Sequence, residues 1–383
     1  MNIGISCYPT HGGSGVVATE LGIELAKRGH NVHIISYSVP FRLRQFYPNL
    51  FFHEVELFSY PLFKHPLFAL ALINKMVEAA KMARLDILHA HYAIPHAISA
   101  YVAKQMLKNH APKVITTLHG TDITLVGMDR SFYDLVRFSI QQSDGVTAVS
   151  RFLRDRTASQ FQITRPIEVI YNFVDTDRFR PKEVTSREMY ARPEEKILVH
   201  VSNFRRVKRV PDVIEVFRRV NEEIPSVLIL VGEGQERNVA QDLVLKHGLQ
   251  YKVHFLGNQD FVEDVLALAD LFLLPSEKES FGLVALEAMS CGCPVIASDA
   301  EGIPEVVRDG ETGFLLPVGD VEGMAERALQ LLRDPEMHRR FSRAAREWVV
   351  KNFAPEIHVK RYLDFYRKVL EGEPLSERAE GAK

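Results

Sequence analysis

Two glutamates, Glu279 and Glu287, stand eight positions apart in Ser276-Glu277-Lys278-Glu279-Ser280-Phe281-Gly282-Leu283-Val284-Ala285-Leu286-Glu287. The first falls in a loop that closes an apolar run. The second lies more than a turn into a helix expected over residues 283–289, with Gly282 at its start. Backbone N–H groups at a helix start lack partners and carry partial positive charge, so the amides of Phe281, Gly282 and Leu283 suit a phosphate. Two carboxylates around such an anion site suit the hydroxyls of a sugar and a ribose. The core-type neighbours of Glu287 argue against a surface charge. A second cluster, Ser202-Asn203-Phe204-Arg205-Arg206-Val207-Lys208-Arg209, places four cations within five positions directly after an apolar run. A diphosphate is their natural partner, and the choice between Arg205 and Arg206 stays open.

Gly12-Gly13-Ser14-Gly15 lies between the first apolar run and the first helix, where glycine lets a backbone approach a phosphate. Ala18 holds the third glycine position of a dinucleotide fingerprint, and Ile34-Ile35-Ser36-Tyr37 brings no acidic residue, so a phosphate or a passing substrate fits this loop better than a dinucleotide. Gly232-Glu233-Gly234 reads equally as a tight turn or a ligand-lining loop. His89, His91, Tyr92 and His96, then His119-Gly120-Thr121-Asp122, then Ser150-Arg151 each follow an apolar run and could share one cleft. The histidines lack the spacing of a zinc motif, and no metal is expected. Asp175-Thr176-Asp177 reads as linker, and Cys291-Gly292-Cys293 as a tight turn and not a redox pair.

The elements that must position these residues alternate short apolar runs with helical patterns, the signature of βαβ units and an α/β fold. Runs at 2–6, 32–36, 87–89, 114–118, 145–149 and 167–170 form one series, with a helix over 15–28 stopped by Gly29. A second series runs through 197–201, 227–231, 253–256, 271–274, 294–297 and 313–316. Two doubly wound domains follow, at 1–171 and 196–354, with a linker at 172–195 carrying Pro181 and Pro193. A last helix at 355–370 could return to the first domain, and a charged tail at 371–383 is expected to be mobile.

Composition narrows the function. The 383 residues carry 47 Lys+Arg against 49 Asp+Glu, so no global field draws nucleic acid or an anionic membrane, and an anionic ligand must be held by local charge. Three cysteines make no disulfide framework, and the N-terminus runs straight into an apolar strand without a signal-peptide pattern; a cytoplasmic location fits. The apolar stretch 61–73, broken by Lys64, His65 and Pro66, reads as a core helix and is too short to span a bilayer. No stable membrane insertion is expected, and homo-oligomerisation stays open.

On Glu279-Ser280-Phe281-Gly282-Leu283-Val284-Ala285-Leu286-Glu287, together with Arg205 and Lys208, the chain resembles the family-4 retaining glycosyltransferases over nearly its whole length. It departs from their commonest pattern where Asn203 stands for an arginine and Arg209 for a glycine. The resemblance implies a GT-B fold, two Rossmann-like domains facing a central cleft, with no cofactor and no metal. It implies His119, Arg205, Lys208 and Glu279 at the reacting centre, and Gly13, Asn203, Gly234, Ser280, Phe281, Gly282, Leu283 and Glu287 around the donor. Cys7-Tyr8-Pro9-Thr10-His11-Gly12-Gly13-Ser14-Gly15, Ser38-Val39-Pro40-Phe41-Arg42-Leu43 and Val201-Ser202-Asn203-Phe204-Arg205 resemble, more narrowly, the branch that serves bacillithiol biosynthesis. That branch implies UDP-N-acetylglucosamine as donor and L-malate as acceptor, for which Ser14, Tyr92, Thr121, Ser150 and Arg151 are the candidates. Transfer of another sugar, nucleotide-sugar epimerisation and non-catalytic sugar binding are the rival functions.

Overall fold

The computed structural model describes residues 1–10, 12–57, 67–124, 126–182 and 185–375, without the side chains at 185 and 186. It divides into two compact units, Met1–Tyr171 with the chain from Glu356 onward, and Asn172–Pro355.

In unit 1 the chain runs β1 (Asn2–Ser6), α1 (Gly13–Lys27), β2 (Asn31–Ser36), β3 (Leu50–Glu54), α2 (Phe68–Ala83), β4 (Ile87–His91), α3 (Ile98–Leu107), β5 (Lys113–Leu118), α4 (Thr121–Thr124), α5 (Arg130–Gln142), β6 (Gly145–Ala148), α6 (Arg151–Phe161) and β7 (Glu168–Val169). Unit 2 holds β8 (Lys196–Val201), α7 (Val210–Glu223), β9 (Ser226–Val231), α8 (Arg237–Lys246), β10 (Val253–Gly257), α9 (Val262–Leu268), β11 (Leu271–Leu274), α10 (Leu283–Ser290), β12 (Val295–Ser298), β13 (Gly313–Leu316), α11 (Val321–Arg333) and α12 (Pro335–Phe353); α13 (Pro355–Glu371) follows.

The sheets read β3-β2-β1-β4-β5-β6-β7 and β10-β9-β8-β11-β12-β13. Every pairing between these strands is parallel. Both are Rossmann-like, and both reverse direction beside their first strand, between β1 and β4 and between β8 and β11. Loops leaving the C-terminal ends of strands at such a reversal form the natural ligand crevice of the fold. Strands covered on both faces must be apolar throughout, and β9 and β12 are buried at every residue. Over unit 2's sheet, α7 lays down Val213, Ile214, Val216, Phe217 and Val220, all buried against Leu198, Leu228 and Leu230 of the same core.

Three features differ from the pattern read in the sequence. β3 was not among the expected runs: it is a half-exposed edge strand that pairs with β2. The helix expected over 61–73 instead begins at Phe68 and continues to Ala83, while 61–66 lie outside the described residues. The segment after Tyr171 is counted with unit 2. There the Val174 N–H donates to the Phe353 carbonyl at 3.1 Å, and the Arg346 guanidinium donates to the carbonyls of Thr176 (2.9 Å) and Phe179 (2.8 Å). From Glu356, α13 belongs to unit 1, where Tyr362 and Tyr366 are buried. The tail from 376 lies outside the described residues.

Candidate active site

In unit 2 the site begins with the loop that leaves β8. Phe204, fully buried, pins it down; its N–H donates to Ser202 Oγ at 3.2 Å, and that hydroxyl meets His200 Nε2 at 2.8 Å. Gly232 and Gly234 lie against the same loop at positive φ, and a Cβ on them would stand 1.8 Å from the Ser202 carbonyl oxygen and 2.2 Å from that of Asn203. Packing therefore accounts for both glycines, whatever ligand the loop meets. From this anchored base a single turn over Arg206–Lys208 carries Lys208 to the carboxylate of Glu279, with which it forms a largely buried ion pair. Arg205 Nε donates to Asn203 Oδ1 at 3.3 Å, whereas Arg209 is turned to Asp212 at 2.6 Å.

Glu279 is held through its backbone as well. Its N–H donates to Glu301 Oε2 at 2.8 Å, and its carbonyl accepts from the Gly302 N–H at 2.9 Å. A Cβ on Gly302 would lie 2.2 Å from the Ser280 carbonyl oxygen, so the loop after β12 clamps the loop after β11. Gly282, at φ +94°, turns the chain into α10, and Phe281 is buried against Phe353. The first amides of α10 thus emerge beside Glu279 and Lys208, giving an anion seat next to a cation and a hydroxyl acceptor. Glu287 is buried within α10; burial, assisted by its charge, pushes the Cys291 thiol up to about 12. Glu301 escaped the sequence reading, since a lone glutamate after a strand carries no motif.

In unit 1 the loop after β1 folds over Gly15, where a Cβ would stand 2.5 Å from the Tyr8 carbonyl oxygen. Gly13 has open space around it, and Ser14 is buried. The ends of β4 and β5 carry a core of paired histidines. His89 lies between the Tyr366 hydroxyl (2.7 Å) and Thr117 Oγ1 (2.6 Å), His96 meets Ser6 Oγ at 2.7 Å, and His91 Nδ1 meets His119 Nε2 at 2.8 Å. Burial pushes His89, His96 and His119 down to about 3 and His91 well below its ordinary value, so all four rings are neutral. The Tyr92 ring lies 5.4 Å from that of His119 and 5.8 Å from that of Tyr8.

Thr121 opens α4, next to buried Asp122. Ser150 caps α6, its Oγ accepting the Leu153 N–H at 3.1 Å, and Arg151 stands exposed at the first position of that helix. Asp175 Oδ1 accepts the N–H groups of Asp177 (3.0 Å) and Arg178 (3.1 Å), a turn cap. Among the described residues no three His, Cys, Asp or Glu side chains are grouped to hold a metal ion, and no helix is long and apolar enough to cross a membrane.

Comparison with known proteins adds three findings. Residues 11–178 match the family model described as Glycosyltransferase Family 4, and residues 182–348 match that of Glycosyl transferases group 1. The chain is 50% identical to the N-acetyl-alpha-D-glucosaminyl L-malate synthase of Bacillus anthracis over 97% of both chains. Its fold is shared with sucrose-phosphate synthase from Thermosynechococcus elongatus (TM-score 0.79, 23% identity, 97% of this chain and 100% of the other). It is also shared with Anabaena HepE, solved in complex with UDP and glucose (TM-score 0.80, 18% identity, 96% and 99%).

Proposed function

We propose, for a chain that belongs to glycosyltransferase family 4, that it moves N-acetylglucosamine from UDP-N-acetylglucosamine to the hydroxyl of L-malate with retention at the anomeric carbon. The observation that carries this reading is the Lys208–Glu279 pair at the start of α10, which sets a cation for a diphosphate beside a carboxylate for sugar hydroxyls. The Bacillus anthracis relative's name supplies the donor sugar and acceptor, and HepE's complex with UDP and glucose supports a nucleotide-sugar donor.

The malate hydroxyl oxygen attacks the anomeric carbon on the face from which the diphosphate departs. A new C–O bond forms as the bond to the β-phosphate oxygen breaks, and that oxygen takes the hydroxyl proton. Arg205, Lys208 and the amides of Phe281, Gly282 and Leu283 stabilise the charge that builds on the diphosphate, a preorganised stabilisation worth several kcal/mol per strong donor. Glu279 grips sugar hydroxyls and keeps Lys208 in position, and Glu287 takes the ribose. Gly13, Asn203, Gly234 and Ser280 line the donor. His119, held neutral, hydrogen-bonds to the sugar. For malate, Arg151 supplies fixed positive charge at the start of α6, with Ser14, Tyr92, Thr121 and Ser150 as further polar contacts.

A screen of UDP-sugars against hydroxy acids tests this. UDP release from UDP-N-acetylglucosamine that depends on malate, with an α-linked product by NMR, is the expected result. A changed sugar without transfer would establish an epimerase, and no turnover with any pair a binding protein.

A further inference from the structure

We propose that Asp122 is a positioning residue of the transfer: by accepting N–H groups from two loops at once, its carboxylate sets Tyr92 and His119 relative to each other. The proposal rests on the reading of Tyr92 and His119 as residues that meet the acceptor and the sugar. Asp122 Oδ2 accepts the Ala93 N–H at 3.0 Å, on the loop that leaves β4 directly after Tyr92. Asp122 Oδ1 accepts the N–H groups of Gly120 at 3.0 Å and His119 at 3.4 Å, on the loop that leaves β5.

Three features separate this arrangement from an ordinary turn cap. Asp122 is 1% exposed, and among the described residues no lysine or arginine forms a salt bridge with it. A buried carboxylate without a cation is costly and is tolerated where backbone N–H groups occupy its oxygens. Burial holds its pKa up at about 6 against the pull of those N–H groups. Tyr92 sits at φ +101°, a conformation that a tyrosine keeps only when its surroundings fix it. Its backbone is held by bonds from the Tyr92 N–H to the Thr117 carbonyl at 3.0 Å, from the Ala97 N–H to the Tyr92 carbonyl at 3.1 Å, and from the adjoining Ala93 N–H to Asp122. Asp122 thus reaches both rings through their backbones and touches neither substrate.

An acceptor-only group is required here. Asparagine offers one oxygen and one NH2, and the NH2 must face either the Ala93 or the Gly120 N–H. Misplacing a reacting group by about 1 Å can cost about a hundredfold in rate. In full-length Asp122→Asn with an unchanged thermal transition, we expect kcat to fall about ten- to a hundredfold and the malate KM to rise. Calorimetric affinity for UDP should stay as in wild type. Hydrogen exchange should quicken in peptides covering 91–97 and 118–124 and not elsewhere.

Should Asp122→Asn fold poorly, Asp122→Ser enters the same series. The decisive comparison is His119→Ala against His119→Ala/Asp122→Asn: a residue that acts through His119 costs little further kcat once His119 is gone. Wild-type kcat and malate KM in a folded Asp122 variant, or losses that multiply in the double variant, would overturn the proposal. If the wild-type enzyme proves to use another acceptor, the malate reading fails, and kcat with that acceptor judges Asp122 by the same criteria.

Discussion

The two units share a strand order and handle polarity in opposite ways. At the C-terminal ends of β4 and β5, unit 1 buries His89, His91 and His96 and half-buries His119 as neutral rings paired with hydroxyls and with each other. Unit 2 keeps its strands apolar around a single buried histidine, His200, and sets charge in the loops, where Lys208 meets Glu279. It adds one arginine, Arg346, whose guanidinium satisfies the carbonyls of Thr176, Phe179 and Ser290. The division suits the proposed labour: charge stabilises a departing diphosphate, whereas neutral donor–acceptor rings bind hydroxyls without attracting a second phosphate.

Acid should separate the units most strongly. A histidine held near 3 in the fold and near 6.5 in the unfolded chain leaves the unfolded state binding more protons, so stability falls as pH drops from about 6.5 toward 3, at about 1.4 kcal/mol per pH unit for each such group. Unit 1 carries His89, His96 and His119 in this state, with His91 lowered by burial as well and His33 at about 4; unit 2 carries His200 at about 4. Asp122 works the other way, taking up its proton in the fold first at about pH 6, and offsets roughly one histidine. The single tryptophan, Trp348, belongs to unit 2 and donates to the Val306 carbonyl at 2.9 Å. On acidification, far-UV circular dichroism and exchange protection in unit 1 should be lost before Trp348 emission shifts to the red. An emission shift that comes first would reverse the comparison.

Next in size is Lys208→Ala, which removes the cation that unit 2 pairs with Glu279. Turnover should fall about a hundred- to a thousandfold with the circular dichroism spectrum unchanged. Near wild-type kcat in the folded variant would remove Lys208 from the reacting centre. Arg151→Ala probes unit 1 and should raise the malate KM about tenfold while the donor KM holds, because the exposed arginine offers one charged contact to one carboxylate. A change confined to the donor KM would move Arg151 out of the acceptor site. Smallest of all is the effect of a chelator: with charge neutralised by Arg205 and Lys208, EDTA should leave the rate as it was. Loss that magnesium or manganese restores would assign the neutralisation to a metal.

Much of this was legible in the sequence. All six runs of the second series became strands, because a sheet covered on both faces demands unbroken apolar segments. β3 was not legible: Leu50, Phe51, Phe52, His53 and Glu54 neither alternate nor form a buried run, and the strand exists through pairing with β2 at a half-exposed edge. In the site, glutamates and cations at strand ends announced themselves by type and position. What tertiary placement alone creates did not: Glu301 closing on the Glu279 backbone, Asp122 bridging two loops, and His91 turned onto His119.

Helix α13 has a consequence for the order in which the protein can be completed. Tyr366 lies 277 residues after His89, whose ring it satisfies, and Phe365 covers Gly145, where a Cβ would stand 2.8 Å from its ring. As the chain leaves the ribosome, all seven strands of unit 1 emerge before any residue of unit 2. The last pieces of unit 1's interior are synthesised only after unit 2 is finished. Until then a nascent chain holds His89 with the Thr117 hydroxyl but without that of Tyr366, and Gly145 without Phe365 over it. Unit 1 is therefore begun first and closed last, and a chain released before α13 would carry a complete unit 2 and an unsealed unit 1.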